Sequence, residues 1–114
     1  MRLFGRRRVP AALTRSERRR EQDDVRRHLE EFTRSRVGVE AFVEPRTTVT
    51  PPTVLLVASS GEWTRRRVDD PKIVHELSKR LAVPVYDVRL VGYPRRMREW
   101  NARQRPAGPA RPTH

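Results

Sequence analysis

The chain has no cysteine. That excludes a disulfide framework and any thiolate metal site, and it suits a reducing compartment. Aromatic residues are few: two Trp, two Tyr and three Phe in 114 residues. Lysine is almost missing, with Lys72 and Lys79 standing beside 24 arginines. No apolar run approaches the roughly 18 residues of a membrane-crossing helix. The basic N-terminus lacks the apolar stretch of a secretory signal, so a cytoplasmic location is expected. No glycine-rich loop is present that could cradle a phosphate, and no cofactor is expected.

What is present in excess is positive charge, +12 at neutral pH. Residues 1–20 carry eight Arg and one Glu, a net of +7. Residues 93–114 carry six Arg and one Glu, a net of +5. Residues 21–92 carry twelve basic and twelve acidic groups and are neutral. The excess therefore sits at the two ends of a neutral middle. Such a field attracts polyanions: RNA, DNA, a ribosomal surface or anionic lipid. Arginine forks phosphate bidentately and stacks on bases, which lysine does not.

A chain of this length makes one domain, divided here into an arm, a core, an extension and a tail. Residues 1–13 read as a flexible basic arm carrying Arg6, Arg7 and Arg8. Leu3-Phe4 beside those arginines allows weak contact with a membrane surface. Residues 14–92 read as an α/β core. Thr14-x-x-Glu17 is a capping box, and Val25, Leu29 and Phe32 form one helical stripe after it. Arg15 to Gln22 have no apolar face and are expected to project. Val37 to Glu44 alternates as a half-buried strand. Thr53 to Ser59 is a continuous apolar run, as in a central strand covered on both faces. Ser60-Gly61 makes a turn, and Glu62 to Val68 pairs back.

Asp70-Pro71 starts a second helix, with Ile73, Val74, Leu77 and Leu81 buried. Val83 to Val91 reads as a fourth strand. The predicted fold is α+β, in the order α-β-β-β-α-β, with a mixed four-stranded sheet and helices mainly on one face. Residues 93–104 read as a basic aromatic extension with a short helix, and residues 105–114 as a disordered tail.

Two constellations carry a binding chemistry. On the third strand, period-two geometry puts Trp63, Arg65 and Arg67 on one face. Either they stack bases and contact phosphate, or the arginines guard an edge strand while Trp63 packs inward. The second is Tyr93-Pro94-Arg95-Arg96-Met97-Arg98-Glu99-Trp100, which interleaves aromatics with arginine. Either it is a nucleic-acid-binding extension built on Tyr93, Arg95, Arg96, Arg98 and Trp100, or Met97 and Trp100 close an open edge of the core.

Catalytic patterns are weak. His75-Glu76-Leu77-Ser78-Lys79 begins like a zinc-protease motif but has Lys79 where the second His is required. Ser59 or Ser60 with His75 and Asp87 lacks a nucleophile elbow. Glu40, Glu44, Glu62 and Asp87 are expected to be dispersed and to face arginines.

The predicted α-β-β-β-α order resembles the double-stranded-RNA-binding domain, whose second helix starts with lysines on phosphate; here that start is Asp69-Asp70-Pro71-Lys72. The fuller order is similar to the core of restriction-endonuclease-like nucleases. Those need an Asp near the second strand's start and Glu-x-Lys on the third, where this chain has Thr53 and Arg65-Arg66-Arg67. Three local segments resemble small, Arg-rich, uncharacterised proteins of high-GC actinobacteria: Val43 to Thr48, Gly61 to Val68, and Pro84 through Met97.

The sequence thus predicts a non-enzymatic accessory protein that binds RNA or DNA, RNA before DNA, in a ribosome-associated role, through its basic ends. The alternatives are an interaction module for an acidic protein partner and a nuclease-like enzyme.

Overall fold

Thr14 caps the first helix by chemistry the sequence announces. Its Oγ1 accepts from the Glu17 backbone N–H at 3.1 Å, and its own N–H donates to Glu17 Oε1 at 2.9 Å. Two of the N–H groups left orphaned at a helix start are satisfied in this way, and helix α1 follows, Arg15–Ser35. The computed structural model describes residues 13–105. The predicted arm with Arg6, Arg7 and Arg8, and the predicted tail beyond Arg105, lie outside the described residues.

After α1 come strands β1 (Glu40–Glu44), β2 (Thr53–Val57) and β3 (Trp63–Arg67), then helix α2 (Pro71–Arg80) and strand β4 (Val85–Asp87). Two more helices follow among the described residues, α3 (Val88–Val91) and α4 (Arg95–Gln104). The sheet runs β3-β2-β1-β4. β2 is antiparallel to β1 and β3, and β4 is parallel to β1 at the far edge. This is the predicted α+β fold, with α1 and α2 together on one face.

That face is the larger core. Val25, Leu29 and Phe32 of α1 and Ile73 and Leu77 of α2 pack on Ala41, Val54 and Leu56 of the sheet. The opposite face has a smaller core of Phe42, Leu55 and Val57 beneath Met97 of α4, with Trp63 and Val88 at its margin. The two layers explain the composition of β2. Both of its faces are covered, so Val54 to Val57 are all buried, and each such side chain contributes about 1.5–3 kcal/mol of transfer free energy. Among the described residues no helix is long and apolar enough to cross a membrane.

Three segments differ from the sequence reading. β1 begins at Glu40 rather than Val37, because Gly38 adopts φ 66° and leaves Val37 exposed. β4 stops at Asp87 because the Asp87 carboxylate accepts the Arg89 backbone N–H at 2.8 Å and turns Val88–Val91 into one helical turn. Gln22 does not project with the start of α1. It is buried, and its Oε1 accepts the Asp69 N–H at 3.0 Å.

Candidate nucleic-acid interface

The second sheet face organises the region where the predicted binding residues meet. Strand register sets Glu40 opposite Val57, Phe42 opposite Leu55, and Glu44 opposite Thr53. Both ends of this face thus carry a carboxylate, and each carboxylate is taken up from within the fold. Glu44 accepts from Arg65 Nε at 2.8 Å and Arg65 Nη2 at 3.0 Å. It also accepts from the Thr53 hydroxyl at 2.6 Å and from the Tyr93 hydroxyl. Desolvation pushes the Glu44 carboxyl up, but hydrogen bonds from Arg65, Thr53 and Tyr93 outweigh it and hold the group below its ordinary range. The same contact raises Tyr93, with the Glu44 hydrogen bond first among the causes and burial second.

At the other end Arg96 donates to Glu40 Oε1 at 2.7 Å, to the Ala58 carbonyl at 2.9 Å and to the Val57 carbonyl at 3.3 Å. Arg36 pairs with Glu62 and Arg89 with Asp87. All four carboxylates singled out in the sequence therefore face arginines, and they are dispersed.

The aromatic candidates are partly spent on packing. Trp63 Nε1 donates to Asn101 Oδ1 at 2.8 Å, and the Arg65 guanidinium lies 5.3 Å from the Trp63 ring. Trp100 sits half-buried against the β2–β3 turn with Arg103 5.7 Å from its ring. Arg67 bonds Asp69 Oδ1 at 2.9 Å. Arg66 donates to the Arg65 carbonyl at 2.8 Å and lies beside His28, whose pKa is lowered by desolvation first and by the Arg66 charge second.

Arg95 and Arg98 stand apart from these. Met97 and Trp100 mark the inward side of α4, and helical spacing turns Arg95 and Arg98 to the opposite side. Both are exposed, and neither pairs with a carboxylate among the described residues. Arg98 makes one long bond of 3.4 Å to the Tyr93 carbonyl.

Sorting every described arginine gives the same division. Nine of nineteen pair with a carboxylate: Arg26, Arg27, Arg34, Arg36 and Arg80 around α1 and α2, and Arg65, Arg67, Arg89 and Arg96 around the sheet. Of the ten without a carboxylate partner, Arg46 on the β1–β2 loop and Arg66 on β3 stand singly and the other eight gather in two places. Arg15, Arg18, Arg19 and Arg20 lie on the fully exposed start of α1. Arg95, Arg98, Arg103 and Arg105 lie on or just after α4. Residues 1–12 and 106–114 contain no Asp or Glu, so they only add to this charge.

Sequence reasoning missed two features. One is the inward role of Arg96, whose signal was its four-residue step to Trp100. The other is a cleft of about 590 Å³ between the β1–β2 loop, α3 and Tyr93, lined by Arg46, Arg65 and Arg89 among others. No protein-family model, curated protein or solved structure matches the chain.

Proposed function

We propose that this protein is a non-enzymatic accessory factor of the cytoplasm that binds nucleic acid through its two basic ends, RNA before DNA, with ribosomal surfaces in the partner class. The observation that carries this reading is the segregation of charge. Most arginines in the body are neutralised by carboxylates, while those on the start of α1 and, Arg96 apart, those on or just after α4 are not. Helices that hold unpaired guanidinium groups in fixed rows supply phosphate contacts at little ordering cost. Arginine in place of lysine favours unpaired RNA, whose splayed bases stack on guanidinium planes.

The nuclease alternative has less support. Metal-dependent cleavage needs converging carboxylates, and Glu40, Glu44, Glu62 and Asp87 are each committed to a different arginine. An acidic protein partner would use the same exposed charge. Fluorescence anisotropy with RNA and DNA at about 50 and 200 mM salt separates the readings. Binding that falls steeply with salt supports the proposal. Absence of binding at the lower salt refutes it, and a cellular partner retained after nuclease treatment but released by salt assigns the surface to protein.

A further inference from the structure

We infer that the cleft beside Tyr93 is a subsite for one unpaired nucleotide, a nucleoside monophosphate held either free or within a single strand. The inference rests on the nucleic-acid reading above and extends it from the helical rows to a concave site. The cleft, about 590 Å³, lies within the range of ordinary small-molecule sites. Pro45, Pro51 and Val88 supply an apolar wall, and Arg46, Arg65 and Arg89 supply the charge.

The cations differ in how firmly they are held. Arg65 is fixed by its two bonds to Glu44 through Nε and Nη2, which leaves Nη1 for a ligand. Arg89 is held likewise on Asp87 through Nε and Nη2. Arg46 is exposed and has no carboxylate partner among the described residues. Glu44 does not repel an anion strongly, because its oxygens already accept four hydrogen bonds, two of them from Arg65. The three arginines therefore present a net positive, partly preorganised anion site.

Tyr93 gives the site its second chemistry. Its hydroxyl is tied to Glu44, which fixes the ring, while the residue remains 42% exposed. A fixed, exposed ring beside arginines suits a base stacked on tyrosine with its phosphate on guanidinium.

The full chain is titrated with UMP, uridine, inorganic phosphate and a short oligouridylate, read by calorimetry. UMP should bind saturably near the millimolar range, and Arg46→Gln/Arg89→Gln should weaken it about tenfold. Tyr93→Phe, which keeps the ring and loses the Glu44 bond, should retain UMP better than Tyr93→Leu. Arg95→Gln/Arg98→Gln should leave UMP binding unchanged while weakening the oligouridylate. Loss of polymer binding in that variant with UMP binding intact upholds both the helical rows and the cleft, whereas UMP binding by a parent chain that binds no polymer counts against the helical rows and upholds the cleft alone. Oligouridylate that displaces UMP identifies the strand as occupant; oligouridylate that does not identifies the free nucleotide. No saturable UMP binding, inorganic phosphate binding as tightly as UMP, or indifference to the Arg46→Gln/Arg89→Gln change overturns the assignment.

Discussion

Arg96 Nη2 lies 2.7 Å from Glu40 Oε1, joining residues 56 apart in sequence. The same guanidinium reaches the carbonyls of Val57 and Ala58. One arginine thereby ties α4 to the ends of β1 and β2, and its neighbours Arg95 and Arg98 are turned away from the sheet. Three arginines within four residues are divided by helical geometry into one structural and two displayed side chains.

Arg96→Ala should therefore destabilise the fold. It leaves Glu40 and two backbone carbonyls without their donor, a loss of about 2 kcal/mol given that the pair is part-exposed and screened by solvent. Arg95→Ala and Arg98→Ala should each stay within about 0.5 kcal/mol of the parent. Urea denaturation followed by circular dichroism measures all three, and equal stability across the set would remove Arg96 from its structural role.

Gly61 is where α4 meets the β2–β3 turn most closely. It has φ +96°, and a Cβ there would lie 2.1 Å from the Arg96 carbonyl oxygen and 2.9 Å from the Trp100 Cβ. Backbone cannot yield as a flexible side chain can. Gly61→Ala should cost about 2 kcal/mol or more and push α4 off the sheet face. The expected signal is a red-shifted tryptophan emission as Trp63 and Trp100 gain water, with the far-ultraviolet spectrum largely kept. Unchanged emission would show that the turn accommodates the methyl group.

Glu44 sets a pH dependence. Its folded pKa lies below its unfolded value, so the unfolded chain binds the proton more tightly. The stabilisation is complete above the unfolded value, about 4.3, and is lost as pH falls through the lower folded value. Glu44→Gln should flatten this acid limb of the stability curve. Parallel acid limbs for parent and variant would mean that Arg65, Thr53 and Tyr93 do not favour the ionised form.

Much of this architecture is legible in the chain because local chemistry marks it. Thr14 with Glu17, Asp70 with Pro71, and the unbroken Val54 to Ala58 run each act within a few residues, and the structure uses each as the pattern implies. The failures have a different origin. Val88 to Val91 look like a strand by composition, but the Asp87 cap, a competing local hydrogen bond, wins. Val37 lies in the alternating pattern, yet Gly38 breaks the strand just after it. In the candidate interface, Arg65 and Arg96 look the same as Arg95 and Arg98 until carboxylates from distant strands arrive beside them. Tyr93 and Glu44 are 49 residues apart, so the cleft they border has no signature in sequence.

The most direct test is the salt dependence of RNA binding for the parent and for Arg95→Gln/Arg98→Gln, with Arg65→Gln/Arg67→Gln as comparison and folding checked by circular dichroism. Log affinity against log salt should give a linear slope that shrinks by about two units when Arg95 and Arg98 are replaced, since each lost phosphate contact removes about one. In the strand pair Arg67 is neutralised by Asp69 and Arg65 keeps only Nη1 for a phosphate at the cleft, so this pair should lower the slope by about one unit at most. If Arg65→Gln/Arg67→Gln flattens the slope and the α4 pair leaves it unchanged, the binding surface is the edge of the sheet and not α4.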